Sequence, residues 1–130
     1  ATPFEHRPYA TELALCKRYY QKTYDYGTAA ATSTENGWAW YGTDYNVGIE
    51  STFQSQGIRF ETEMRTQPTM VLYDAQGNAG KCTRYRVGVG PNHDQTSSVD
   101  LITTKNFRHS GAGTTATGNI AFHYTASAEL

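Results

Sequence analysis

The chain has no apolar run near the roughly 18 residues that a membrane-spanning helix requires, and its first ten residues, ATPFEHRPYA, lack the basic and apolar regions of a secretory leader. No membrane insertion is expected. Charge of either sign is scarce in excess: the formal net charge is −1, and the lysines and arginines are dispersed rather than gathered into a stripe. Such a surface has no global field to steer a polyanion, which disfavours a nucleic-acid partner. Two cysteines, Cys16 and Cys82, are too few for a disulfide framework and sit in no CxxC spacing. Two free, largely buried thiols are expected.

Recognisable catalytic wording is missing as well. The four histidines, His6, His93, His109 and His123, fall in no HxH, HExxH or cysteine–histidine spacing that would hold zinc, so no metal or cofactor is expected. His123 is expected to face solvent or a partner subunit. There is no GxSxG, and the glycine-rich pieces GNAGK and SGAGTTATG read as turns because neither stands between a strand and a helix. Glu61 and Glu63, two apart on one strand face, have the rough separation of a glycosidase pair, but Arg59 and Arg65 flank them on that face. Charge pairing across strands or subunits explains this alternation better than catalysis does. No enzyme is expected.

Aromatic residues are abundant instead, at 13% of the chain with ten tyrosines, enough for a folded core where a disordered chain would have few. At 130 residues one domain, 1–130, is expected, with residues 1–10 as an extended, proline-punctuated connection. Residues 58–65 alternate cleanly, Ile58, Phe60, Thr62 and Met64 against Arg59, Glu61, Glu63 and Arg65, which is the period of a half-buried strand. Pro68 should separate that strand from the next, at 69–73, and residues 74–80 read as a hairpin loop returning into a strand at 81–89. Further strands are expected at 20–26, 47–54, 99–103, 106–109 and 120–128. Loops are expected over most of 28–46, from Gly90 to about Thr96, and from Ser110 to Gly118. Thr11 is an N-cap candidate for a single helical turn reaching Cys16. Many short strands and almost no helix predict an all-β domain, an antiparallel β-sandwich of jelly-roll type with one or two helical turns. An up-and-down barrel is the alternative.

The closely spaced aromatics Trp38, Trp40, Tyr41 and Tyr45 stand among Asn36, Asp44 and other polar residues in a segment too rich in glycine and small residues to look like core. Aromatic faces stack on the apolar faces of sugar rings while amides and carboxylates bond the hydroxyls, so this composition suits glycan binding. The same rings could instead plug the end of a small sandwich or pack against a neighbouring subunit. Asn92, His93 and Asp94, in an expected polar loop, are second-tier candidates with Asn36 and Asp44.

Three phrases, ELALCKRYYQKTY (12–24), EMRTQPTMVLYDAQGNAGK (63–81) and AFHYTASAEL (121–130), together resemble the C-terminal domain of tailed-bacteriophage tail fibres. The shared positions, among them Met64, Pro68, Leu72, Tyr73 and Gly77, read as strand, core and turn positions, so they do not locate a receptor site. The resemblance implies a homotrimeric, β-rich tip at the distal end of a virion fibre, assembled in the host cytoplasm and joined to an upstream shaft. It also implies recognition of host capsule or lipopolysaccharide without catalysis, with a polysaccharide depolymerase or a purely structural trimerisation cap as alternatives. A terminus at AEL resembles a natural chain end. In a trimer, the face of Arg59, Glu61, Glu63 and Arg65 is a candidate for intersubunit ion pairs, and three weak sugar sites act at high effective concentration.

Overall fold

The computed structural model describes residues 8–43, 51–86, 90–113 and 118–129. Among these residues one helix, α1 (Tyr9–Lys17), precedes nine strands: β1 (Tyr20–Lys22), β2 (Ala39–Thr43), β3 (Ser51–Gln54), β4 (Ile58–Arg59), β5 (Thr69–Tyr73), β6 (Lys81–Arg86), β7 (Gly90–Asp100), β8 (Asn106–Gly113) and β9 (Gly118–Ser127). Every strand pairing is antiparallel, and the pairings join all nine strands into one sheet. The all-β class expected from the alternation therefore holds.

β9 is the hub. Its C-terminal half pairs with β1 and β5, its N-terminal half with β2 and β6. Being flanked on both sides along its length, it is buried on both faces from Ile120 to Ala126, where a single buried face was expected. Beyond β6 the order runs through β7 to β8, which carries β3 and β4. β8 thus lies three strands from β9, about 14 Å away in a flat sheet. Yet the Phe107 ring of β8 stands 5.0 Å from Tyr124 of β9, and His109 stacks on Phe122 at 4.1 Å. Only a sheet that curls over its own face allows this. Phe60, Met64, Leu72, Phe107, Ile120, Phe122, Tyr124 and Ala126 fill the enclosed space.

Several elements differ from expectation. α1 has about two and a half turns rather than one, because Pro8, whose ring presets φ, offers its carbonyl to the N–H groups of Thr11 and Glu12 at 3.0 and 3.2 Å. The strand expected over 20–26 stops at Lys22, where Thr23 Oγ1 accepts the Tyr124 N–H at 3.0 Å and turns the chain. Tyr20 and Tyr26 are consequently exposed and Tyr24 buried, so they share no face. Residues 60–65 keep the predicted alternation, with Phe60 and Met64 buried and Glu61 and Glu63 exposed. Their backbone, however, is held by bonds to residues 104–105 rather than by a ladder: Phe60 N–H reaches Lys105 O and Met64 N–H reaches Thr104 O.

β5 and β6 do not form the expected hairpin. Both pair with β9 in the same direction, and residues 74–80 bulge out between them, joined back by one bridge from Tyr73 to Ala79. The fully buried Asp74 carboxylate holds this bulge by accepting the N–H groups of Gln76 and Asn78 and the Asn78 amide. The polar stretch expected as a loop to Thr96 is the eleven-residue β7, and β8 runs on through Gly113. Partners on both sides satisfy the β7 backbone, and this outweighs its poor strand propensity. β7 ends at Asp100, and Leu101 turns at φ +49° where a strand was expected to continue. Residues 87–89 of the strand expected at 81–89, 44–46 of the expected loop, 47–50 of the strand expected at 47–54, 114–117 of an expected loop and 1–7 of the expected extended connection lie outside the described residues, while Tyr9 and Ala10 of that connection are helical, in α1.

Candidate functional site

The turn at Asn36 and Gly37, the latter at φ +79°, delivers the chain to β2, within the stretch expected to be loop. Pairing sets the faces: Trp40 stands opposite Ala121 and Gly42 opposite Asn119, while on the far side of β9 Thr83 meets Ala121 and Tyr85 meets Asn119. Directly opposed residues share a face, so Trp40 and Tyr85 rise from the same side of the sheet with β9 between them. Trp40 is 65% exposed and Tyr85 41% exposed. With the half-buried Trp38 they wall a cleft of about 190 Å³ whose floor is the Ala121 methyl and the exposed Asn119 amide. On the other side of the two tryptophans lies a wider cleft of about 670 Å³, bounded by Gln54, Ser55, Gln56 and Gly57. The indoles thus form a ridge between two clefts.

Tyr41, the neighbour of Trp40, points the opposite way. Its hydroxyl lies 2.8 Å from His109 Nδ1, and burial raises its phenol pKa well above the ordinary range. It is half-buried, its hydroxyl turned to the core, and it contributes to the lining of the wider cleft rather than to the exposed ridge. Asn36 is exposed in its turn but lines neither cleft. Asn92, His93 and Asp94 belong to β7 rather than to a loop; Asn92 is exposed, and His93 bonds Thr83 Oγ1 at 2.8 Å. Neither Asn92 nor His93 lines a cleft. Asp44, Tyr45 and the Asp94 side chain lie outside the described residues.

The charged face at 59–65 is exposed as expected, and three of its members have partners within the chain. Glu61 pairs with Lys17, Thr104 Oγ1 donates to Glu63 at 3.0 Å, and the Arg65 guanidinium lies 5.4 Å from the Tyr19 ring centroid. These contacts tie the segment to α1 and to the turn before β8.

Two of the three described strand histidines are the opposite of surface groups. His109 and His123 are both fully buried, which corrects the expectation that His123 faces solvent or a subunit. His109 is stacked on Phe122, bonded at Nδ1 to Tyr41 and at Nε2 to Ser97 Oγ at 2.5 Å, and burial lowers its pKa to about 4. His123 stacks on Tyr24 at 4.0 Å. Because Thr34 O can only accept, His123 Nε2 carries the proton and Nδ1 accepts from Thr23 Oγ1. Burial lowers its pKa too. Both rings are neutral, satisfied core groups.

Cys82 is buried as expected, and its thiol is pushed up to about 12, so it is no thiolate nucleophile; Cys16, expected to be largely buried, is exposed on α1. Among the described residues no three His, Cys, Asp or Glu side chains gather as a metal site. The chemistry on offer at the ridge is stacking plus amide hydrogen bonding. Tyr85, Asn119, Gln54 and Gln56 were not singled out in the sequence, since only the strand register brings them beside the tryptophans. No protein-family model, curated protein or solved structure matches the chain.

Proposed function

We propose that this chain is the receptor-binding tip of a phage tail fibre, which attaches to polysaccharide or lipopolysaccharide on the host surface without altering it. The observation that carries the binding part is the ridge: an indole left 65% exposed beside an exposed tyrosine and amide side chains. A ring that size normally goes to the core of a small domain, where its burial contributes most. In this reading the curled sheet is the protomer of a jelly-roll-type sandwich, assembled as a homotrimer on an upstream shaft in the virion.

The tail-fibre part rests on the three phrases of the sequence. Residues from all of them meet around β9: Gln21 of the first reaches Met64 Sδ of the second at 3.0 Å, and β5 pairs with the third. Incubation of the purified chain with whole host cells, with and without their surface polysaccharide, tests the proposal. Binding that disappears with the polysaccharide, and with Trp40→Ala, is the expected result. Retention of full binding by a folded Trp40→Ala chain would remove the ridge from the receptor site.

One observation favours a second reading, the structural trimerisation cap. α1 has no buried residue although its sequence, YATELALCK, is largely apolar, which is the composition of a helix covered by something else. Under that reading the tryptophan variants adsorb normally, whereas Leu13→Glu lowers the oligomeric state.

A further inference from the structure

Both clefts beside the indole ridge are lined, among the described residues, by uncharged side chains alone. The narrower has two tryptophans, a tyrosine, an alanine and an asparagine; the wider adds glutamines, a serine and glycines to the same tryptophans. Arg108, whose Nη1 reaches Gln54 Oε1 at 3.4 Å, is held in a two-point pair by Asp100, with Nε and Nη2 at 2.8 and 2.6 Å from its two carboxylate oxygens. That guanidinium is neutralised where it stands. Arg59 follows Ile58 at the rim of the wider cleft but projects to the other side of β4 by strand alternation.

A carboxylate, sulfate or phosphate on a ligand would therefore meet no cation among the described residues that line either cleft, and would lose hydration with no compensation from them. A neutral pyranose faces no such cost. Its apolar face can lie against an indole and its hydroxyls can reach amides, which both donate and accept. Trp40 and Tyr85 stand two strand spacings apart, about 10 Å between backbones. That gap, with a methyl for a floor and the Asn119 amide beside it, suits one ring inserted between aromatic walls. The glutamine-lined cleft lies across the ridge and is several times larger.

We infer that the ridge binds an internal stretch of an uncharged glycan, at least two sugar rings long, with one ring between Trp40 and Tyr85 and the next across the ridge against Gln54 and Gln56. This rests on the receptor-binding reading and narrows it from surface polysaccharide at large to neutral segments read along the chain. Acidic residues are disfavoured.

The test uses the whole chain in its native assembly and a set of neutral mono-, di- and tetrasaccharides of hexoses, 6-deoxyhexoses and N-acetylhexosamines. Matched oligosaccharides carrying uronate, sialate or phosphate serve for comparison, and affinities come from calorimetry and tryptophan fluorescence. Expected is binding confined to neutral members, rising with length from mono- to tetrasaccharide, and unchanged between low and high salt. Tyr85→Ala and Trp40→Ala should each weaken it on the order of tenfold. Gln56→Ala should abolish the gain with length while leaving monosaccharide binding.

Preference for acidic members, with affinity falling as salt rises, overturns the inference while leaving receptor binding intact. So does monosaccharide affinity equal to that of the tetrasaccharide. Binding to whole cells with no affinity for any oligosaccharide overturns it as well, and absence of cell binding by the folded chain overturns the receptor reading with it. If Trp40→Ala instead changes the oligomeric state and no glycan affinity, the ridge is a contact between copies, and the inference fails.

Discussion

The two sides of β9 are buried by different means. Toward the enclosed side, Ile120, Phe122 and Tyr124 meet rings from β8 and from residue 60, so cover is provided by apolar packing among strands. Toward the other, two excursions interrupt the strands along β9, residues 23–38 and 74–80; the first roofs His123 through Tyr24 and Thr34, and the Tyr24 ring meets Tyr73, the last residue of β5, at its edge. The excursions also touch each other: Ser33 Oγ donates to Ala75 O at 3.3 Å, and Gly77 lies against the Ala31 carbonyl. That roof stops short of Asn119, and the tryptophan ridge stands where it ends. A packed face is committed to stability, whereas a roof of loops leaves a margin at which large rings can be displayed.

The largest expected effect falls on the packed side. Phe122→Ala removes a ring held between Phe107, His109 and Tyr124 and should cost about 3–5 kcal/mol in urea or thermal unfolding. Acid should find the same side next. His109 binds its proton near pH 4 when folded and near the ordinary 6.5 when unfolded, so below pH 6.5 the unfolded state takes up more protons. The stability this residue contributes is complete above pH 6.5, is lost as pH falls, and is gone below about 4, a difference of about 3 kcal/mol. His123, shifted in the same direction, adds to the slope. Denaturant unfolding from pH 7 to 4.5 should show that slope, and His109→Gln should flatten it; an unchanged slope would contradict the neutral, buried assignment.

On the roofed side, Gly77→Ala should cost about 1–3 kcal/mol, because φ is +87° and the added Cβ would come within 2.1 Å of Ala31 O. Hydrogen exchange should show the loss concentrated in residues 23–38 and 74–80, which would mark the roof as a unit separable from the core. Smallest is the effect of Trp40→Ala on stability, about 0.5–1 kcal/mol, since most of the indole already meets water. A loss as large as that of Phe122→Ala would erase the distinction between the two sides.

The strand class and the alternation at 58–65 could be read directly because burial there follows local period, with Phe60 and Met64 inward as their spacing says. β7 could not, since its composition is that of a loop and only its two neighbours make it a strand. The same holds at the site. Trp38 and Trp40 were legible as aromatics out of place, but the inward turn of Tyr41 depends on the position of His109, 68 residues later, and Tyr85 joins the ridge only through pairing with Asn119. His123 misled because a polar residue in an alternating strand suggests solvent, and the loops that cover it are remote in sequence.

The place of β9 at the centre of the sheet also constrains how the protein is made. The four strands that flank it, β1, β2, β5 and β6, are all translated before it, and none of them pairs with another among the described residues. While the ribosome is still synthesising residues 118–127, β1, β2 and β5 have no partner strand among the described residues and β6 has only β7, so the sides that β9 covers stay open to solvent or to chaperones. The β6–β7–β8 ladder can form first, whereas folding should be completed late, after synthesis has passed the hub, through contacts distant in sequence.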